Sequence, residues 1–160
     1  MSMIGNLLAL PQAELDALHA SGIPVSTYLY ETRVDDIVSL DKAWNGMHFM
    51  LTGHMWGGSG PLANVILGGV PIGEEDVGYG PARSLSVEQA NEVAQALDGI
   101  SAADFRARFD AAALSEAEVY PQIWDEGDDA LDYVADYFEE ARHFYKSAAE
   151  QGHAVIQFIS

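Results

Sequence analysis

The chain has 160 residues, of which 25 are acidic and 7 are basic, and its formal net charge at pH 7 is −18. This length fits one domain with a single hydrophobic core, so residues 1–160 are treated as one unit. The strong negative charge disfavours nucleic acid and anionic membrane surfaces as partners, because both repel an acidic protein. The absence of cysteine excludes disulfides, thiolate metal sites and cysteine nucleophiles.

The N-terminal residues are apolar but do not resemble a secretory signal. They lack a basic flank and a cleavage site with small residues. No apolar run in the sequence approaches the length that a transmembrane helix needs. Together with the absence of cysteine, these features predict a soluble, cytoplasmic protein.

The first segment is predicted to form a strand followed by a helix. Met3–Leu10 is an apolar run with the length of a buried strand. Pro11 suits the first turn of a helix that ends near His19, because proline fixes the φ angle at that position. Val25–Tyr30 is rich in β-branched and aromatic residues, which indicates a further strand, with a helix as the alternative.

The middle of the chain is predicted to contain two helices and a long loop. One helix is predicted over Leu40–Leu51, in spite of Gly46 in its interior. A shorter helix is predicted over Pro61–Leu67, because it begins with proline and is followed by two glycines. Gly68–Pro81 is rich in glycine and is predicted to be a loop.

The second half is predicted to be mainly helical and to end in a strand. Ser86 begins a capping box, which predicts a helix to about Leu97, and Ser101 repeats the start signal for a helix to about Asp110. Gly127–Gln151 has the pattern of a long amphipathic helix, and Ala154–Ile159 that of a closing strand. The buried stripe predicted for the long helix contains Leu131, Val134, Phe138, Ala141, Tyr145 and Ala148.

These elements predict the fold class: a mainly helical α+β single domain with a small sheet. No internal repeat or low-complexity linker divides the chain. The strands Met3–Leu10 and Ala154–Ile159 are expected to share the sheet, because each needs a partner for its backbone hydrogen-bonding groups.

The predicted helix Leu40–Leu51 carries the most distinctive pattern in the sequence. On a helical wheel its apolar stripe contains Leu40, Trp44, Met47 and Leu51. The neighbouring polar stripe contains Asp41, Asn45 and Thr52. His48 falls between the two stripes, beside Trp44 and at the margin between core and water. There it could act as a general base, a ligand contact or a proton switch, or it could be a hydrogen-bonded core histidine.

A glycine-rich loop with His54 and Trp56 follows this helix. It lacks the lysine and the spacing of a phosphate-binding loop, so a mobile loop beside a pocket is the better interpretation. His48 and His54 are too far apart in sequence for a helical zinc pair, and no carboxylate motif completes a site. No metal, cofactor or catalytic residue is therefore assigned.

Two further aromatic patches supply candidate binding residues. Tyr79 and Arg83 flank a proline turn, and Trp124 follows the Tyr120-Pro121 turn. Aromatic residues and arginine dominate binding hot spots. The same residue types fill the space between helices and a sheet, so a structural role for each remains open.

Several blocks of the sequence together resemble a known family. They are Met3-Ile4-Gly5, Leu40-Asp41-Lys42-Ala43-Trp44, His48-Phe49-Met50-Leu51-Thr52-Gly53, Tyr120-Pro121 and Gly152-His153-Ala154-Val155-Ile156. These blocks resemble the YfbM-like family, a group of small bacterial proteins classed as a domain of unknown function. The resemblance spans nearly the whole chain, implies a compact α+β domain and implies no reaction.

Two functions are consistent with these features. The first is a small acidic interaction domain that docks a basic protein partner, for example as an immunity-like inhibitor of a toxin. Its basis is the charge, the size and the lack of a catalytic constellation. The alternative is a small-molecule binder or an unassigned enzyme that uses an aromatic and histidine pocket around Trp44 and His48. A purely structural domain is consistent with the same sequence.

Overall fold

A computed structural model describes residues 2–160 and shows an α+β fold built on a five-stranded antiparallel sheet. Its strands, in chain order, are β1 (Gly5–Pro11), β2 (Val38–Asp41), β3 (Val70–Pro71), β4 (Arg83–Leu85) and β5 (His153–Ile159). Their order in the sheet is β2-β1-β5-β4-β3. β1 and β5 pair in a continuous register from Gly5 opposite Ile159 to Pro11 opposite His153. The terminal strands therefore share the sheet, as predicted.

Seven α-helices lie within residues 2–160. They are α1 (Gln12–Ala20), α2 (Val25–Thr27), α3 (Trp44–Thr52), α4 (Val87–Asp98), α5 (Ala102–Arg106), α6 (Ala111–Glu116) and α7 (Asp128–Glu150). A π-helical turn covers Tyr28–Thr32, and 3₁₀ turns cover Val34–Asp36, Pro61–Asn64 and Trp124–Glu126. None of the helices in this part of the chain is long and apolar enough to cross a membrane.

The sheet has a hydrophobic core on each face. Successive strand side chains point to opposite faces. Leu7 and Val155 therefore belong to the larger core, with α3, α4 and α7, while Leu8 and Ile156 belong to the smaller core, with α1 and the π-helical turn. Because both faces of the sheet are covered, the sequences of β1 and β5 are nearly continuously apolar and do not alternate between apolar and polar residues.

The strand predicted over Val25–Tyr30 is wrong, because this segment is helical. Val25, Tyr28 and Leu29 lie three and four residues apart, and all three are buried in the smaller core. That helical spacing outweighs the β-propensity of the individual residues. The segment is also held at its start by Glu75, whose carboxylate accepts hydrogen bonds from the Ser26 amide (2.9 Å) and hydroxyl (2.6 Å).

The start of the helix predicted over Leu40–Leu51 is also wrong. Leu40 and Asp41 belong to strand β2, and α3 begins only at Trp44. Asp41 has a φ angle of +48°, which interrupts a right-handed helical backbone. Asp41 therefore does not lie on a helical stripe beside His48. Leu40 still reaches the larger core, but it does so from the strand.

Three other predicted elements differ in extent. Pro61–Leu67 forms only the 3₁₀ turn Pro61–Asn64, and the predicted loop Gly68–Pro81 contains the short strand β3. The helix after Ser101 ends at Arg106, and Asp110 then caps the separate helix α6. The predicted capping boxes at Ser86 and Ser101 are both present.

Helix α7 has the buried stripe that its spacing predicts. Val134, Phe138, Ala141, Tyr145 and Ala148 are buried, whereas Leu131 is half-buried. The opposite side of the helix is polar, and it contributes most of the acidic surface described below.

Candidate functional site

Trp44 and His48 lie one turn apart on α3, as predicted, but neither lies at the margin with water. Trp44 is 1% exposed and His48 is 0% exposed. The Trp44 indole Nε1 donates a hydrogen bond to the Met3 carbonyl (2.9 Å), which ties α3 to the residues before β1. The expectation of a boundary position for His48 is therefore wrong, and the imidazole belongs to the interior.

The polar residues of α3 hold the glycine-rich loop that follows it. The Asn45 amide donates to the Met55 carbonyl (2.9 Å) and accepts from the Tyr120 amide (3.0 Å). His48 Nε2 lies 2.8 Å from the Gly57 carbonyl oxygen. The Thr52 hydroxyl bonds to the His48 carbonyl (2.8 Å) and accepts from the His54 amide (3.1 Å). These contacts give the α3 residues a role in positioning the loop.

The contact with Gly57 determines the tautomer of His48, and burial determines its charge. A carbonyl oxygen can only accept, so Nε2 carries the proton and donates it. Nδ1 is buried and has no hydrogen-bond partner among the described residues. Burial lowers the pKa of His48 from its ordinary value of 6.5, the hydrogen bond to Gly57 opposes that shift, and His54 adds to it. His48 is therefore a neutral imidazole at pH 7.

Trp56 is the exposed aromatic residue of this loop. Its side chain is 59% exposed, and its ring lies 5.7 Å from the Trp44 ring, centroid to centroid. The Trp44 ring also contacts Tyr120 at 6.1 Å. His54, in the same loop, is exposed. The structure thus brings six predicted residues together around α3: Trp44, Asn45, His48, Thr52, His54 and Trp56.

Three other predicted residues lie elsewhere. Trp124 is buried, donates to the Val119 carbonyl (2.8 Å) and packs against Gly46 on another side of α3. Arg83, on β4, donates to the carbonyls of residues 68 (2.8 Å) and 69 (2.7 Å) and so anchors the loop before β3. Tyr79 is 42% exposed, and its amide bonds to the Ile159 carbonyl (3.0 Å) at the end of β5.

Asp41, at the end of β2, contacts a different part of the molecule, helix α7. Its carboxylate accepts a hydrogen bond from the Tyr133 hydroxyl (2.7 Å), and that hydroxyl accepts from the Lys42 amide (3.1 Å). Burial and the bond to Asp41 raise the pKa of Tyr133, so its phenol stays protonated. These two bonds fix the Tyr133 ring against the end of β2.

Two neighbouring clefts open beside this group. The first, of about 440 Å³, is lined by Asp41, Lys42, Pro121, Ile123, Glu126, Asp129, Ala130 and Tyr133. The second, of about 410 Å³, is lined by Ser39, Asp136, Tyr137 and Glu140. The rings of Tyr133 and Tyr137 meet edge to face between them, with centroids 5.3 Å apart. We call this surface the tyrosine–carboxylate face: Asp41, Glu126, Asp129, Tyr133, Asp136, Tyr137 and Glu140.

The carboxylates of this face are mostly not neutralised by basic side chains of the protein. Within residues 2–160, none of Glu126, Asp129, Asp136 and Glu140 forms an ion pair, whereas Asp132 pairs with Arg106 at 2.6 Å. Asp136 and Glu140 lie four residues apart on α7, a spacing at which like charges repel. A cation placed between them would remove that repulsion.

The sequence contains a signal for this face that the prediction of site residues missed. Asp129, Tyr133, Asp136, Tyr137 and Glu140 recur at steps of three and four residues, the spacing of one side of a helix. This spacing on the polar side of α7 groups the five residues in the sequence, as the apolar spacing groups its buried stripe. Within the described residues, no three or more histidines and carboxylates are placed to hold a metal ion.

Comparison with known proteins supports the fold and the family. The crystal structure of a protein of unknown function, YfbM from Escherichia coli, is similar to this chain with a TM-score of 0.76 and 20% sequence identity. The match covers 98% of this chain and 99% of that one. No curated protein matches the chain. The family described as a domain of unknown function, DUF1877, matches residues 1–158, and the chain belongs to that family.

Proposed function

We propose that this protein is an interaction domain that binds a positively charged segment of a partner protein on the tyrosine–carboxylate face. The observation that carries the proposal is the placement of unpaired carboxylates around two tyrosine rings in neighbouring open clefts. A binding surface of this kind needs cationic side chains, because only they satisfy both the carboxylates and the rings.

Arginine is the cation that fits this surface best. Its planar guanidinium can bind a carboxylate through two parallel hydrogen bonds and can stack on an aromatic ring. Asp136 and Glu140 flank the Tyr137 ring in one cleft, and Glu126 and Asp129 accompany Tyr133 in the other. Each cleft therefore combines the two groups that recognise guanidinium.

One ring of the face, that of Tyr133, is held in position before any partner binds. Tyr133 is fixed by Asp41 and by the Lys42 amide, and Tyr137 is on the same 23-residue helix. A preorganised surface loses little conformational entropy on binding. The net charge of −18 would in addition steer a basic partner towards the protein over distances of about one Debye length, roughly 10 Å in 0.1 M salt.

A fluorescent hexa-arginine peptide tests the proposal by anisotropy in about 50 mM salt, where screening is weak. The double variant Asp136→Asn with Glu140→Gln removes two charges from the face. Glu88→Gln with Glu92→Gln, on the exposed side of α4, removes the same charge elsewhere. We expect the first variant to weaken binding about tenfold, because each lost contact is worth up to about 1 kcal/mol.

The charge-matched control decides whether the face is a site. The α4 variant should change the affinity by less than about twofold, since it alters only the long-range field. Equal weakening in both variants would show that the peptide responds to net charge alone, and it would remove the face from consideration. Unchanged binding in both variants would do the same.

A further inference from the structure

The loop of residues 53–60 is held closed by a small set of contacts with α3. Asn45 bonds to Met55, Thr52 bonds to His54, and His48 bonds to Gly57. Trp56 completes the set by packing its ring against Trp44. Of the side chains that hold the loop, only the imidazole of His48 belongs to a residue type whose ordinary pKa, 6.5, lies between pH 5 and 8.

The glycines of the loop permit it to move as a unit. Gly53, Gly57 and Gly60 have φ angles of +78°, +68° and +82°, and a Cβ added at any of these positions would meet nothing within 4 Å. Gly58 differs from these three glycines, because a Cβ added there would lie 3.5 Å from side-chain atoms of Thr52 and Ala63. The loop is therefore held by its contacts with α3 and by the half-buried side chain of Met55, which packs against the larger core.

The closed site accommodates only the neutral form of His48. The ring is fully buried, and its second nitrogen has no acceptor among the described residues. A proton added at Nδ1 would create a buried charge and a donor without a partner, which is strongly unfavourable. The charged form must therefore reach water at Nδ1, which the buried position of the ring beneath the closed loop does not allow.

The surroundings of His48 supply no compensating negative charge. Within residues 2–160, no carboxylate oxygen lies within 4 Å of a His48 or His54 nitrogen. The charged or titratable groups nearby are cationic when ionised: His54 in the loop, and Arg108, which follows α5 and whose side chain reaches the C-terminal end of α3. Arg108 contacts the carbonyls of Met50 (3.4 Å) and Leu51 (3.3 Å).

We propose that the loop of residues 53–60 is an acid-sensitive flap, which protonation of His48 releases together with Trp56. In the closed state the imidazole donates to Gly57 and Trp56 covers part of Trp44. In the open state the imidazole is solvated and charged, and both indoles become available to solvent or to a ligand. The flap is independent of the tyrosine–carboxylate face on α7.

The direction of the pH dependence follows from linkage. In the open, solvated state His48 has a pKa near its ordinary value of 6.5, and burial lowers the pKa in the closed state. The open state therefore binds the proton more tightly. As the pH falls below about 6.5, the open-to-closed ratio rises by up to tenfold per pH unit until the closed-state pKa is reached.

Nuclear magnetic resonance of the whole protein tests this flap between pH 7.5 and 4.5. The ring carbons of His48 and the indole N–H of Trp56, assigned with Trp56→Phe, are followed together. We expect both groups to titrate with one midpoint, and that midpoint to lie below 6.5. A His48 midpoint at or above 6.5, or a Trp56 signal that does not follow it, would overturn the proposal.

Two variants separate His48 from other titrating groups. His48→Gln keeps an N–H at the position of Nε2 but cannot titrate, so the Trp56 transition should disappear. His54→Gln removes the other imidazole of the region and should leave the transition in place. A transition that survives in His48→Gln, or that vanishes in His54→Gln, contradicts the flap. If His48→Gln does not fold, the wild-type titration alone still decides the question.

Discussion

Gly46, in the interior of α3, shows how a single residue determines the packing around the candidate residues. It faces the ring of Trp124, and a Cβ at this position would overlap Cη2 of the ring and lie 3.0 Å from Cζ2. Trp124 is fully buried and bonded to Val119, so its ring cannot move away easily. The glycine is therefore required for α3 to approach the 3₁₀ turn at Trp124–Glu126.

Replacing Gly46 with alanine sets two effects against each other. Alanine favours the helix by about 1 kcal/mol, while overpacking a well-filled core costs about 1–3 kcal/mol. Because the obstacle is a fixed indole, we expect overpacking to win and the free energy of unfolding, measured in urea, to fall by about 1 kcal/mol.

Gly22→Ala is the matched control for this substitution. A Cβ at Gly22 meets nothing within 4 Å, so we expect a change within about 0.5 kcal/mol. If Gly46→Ala proved more stable than the wild-type protein, the contact with Trp124 would not be the reason for the glycine.

At the level of single residues, the sequence predicted which residues lie close together on one helix, but it did not predict contacts between residues far apart in the chain. The spacing of Trp44 and His48 correctly placed them on one helix. The depth of burial was missed, because it depends on the loop that folds back over α3 at Gly57. The partner of Asp41 is Tyr133, 92 residues away, and no local pattern connects the two.

Among the elements, α7 and β5 are joined by a buried polar network. The Tyr145 hydroxyl donates to the Val65 carbonyl (2.6 Å) and accepts from the Gln157 amide (2.9 Å). The Gln157 amide also donates to the Asn64 carbonyl and accepts from the Gly68 amide (3.0 Å). Gln157 of β5 and Tyr145 of α7 thus provide hydrogen-bond partners for backbone groups of Asn64, Val65 and Gly68.

Removing the hydroxyl with Tyr145→Phe tests this network. Val65 would keep a buried carbonyl without this donor, and Gln157 would lose one acceptor, so we expect a loss of about 1–3 kcal/mol in the free energy of unfolding. Tyr137→Phe removes a hydroxyl that makes no hydrogen bond within the described residues and should change stability by less than about 0.5 kcal/mol. Equal losses in the two variants would contradict the role of the network.

Helices and strands were predicted correctly where the local sequence pattern was strong. The helix starts at Ser86 and Ser101 and the long stripe of α7 were recognised, because each is a pattern of residues close together in the sequence. Strands β3 and β4 have only two and three residues, too few to show an alternating pattern. The helical turn after Pro24 was predicted only as the alternative to a strand, because β-branched and aromatic side chains suit either structure when they are buried.

For the whole molecule, the acidic charge is unevenly compensated. Arg33 pairs with Glu14 (2.6 Å) and Asp36 (2.8 Å), and Arg142 lies 3.8 Å from both Asp98 and Glu139. The tyrosine–carboxylate face has only Lys42 at its border and no ion pair among the described residues. The sign and the size of the charge follow from the sequence, and the spacing on α7 groups two tyrosines with three carboxylates, but only the fold shows that these carboxylates are unpaired and adds Asp41 and Glu126 to them.

The proposed function requires that a cationic segment binds this face and not the acidic surface in general. A titration of the ¹⁵N-labelled protein with hexa-arginine peptide, followed residue by residue by nuclear magnetic resonance, tests it most directly. The largest changes in chemical shift are expected between Asp129 and Glu140 and around Asp41, and they should weaken as salt is added. Changes that are uniform over all acidic surfaces, or that centre on the loop of residues 53–60, would contradict it.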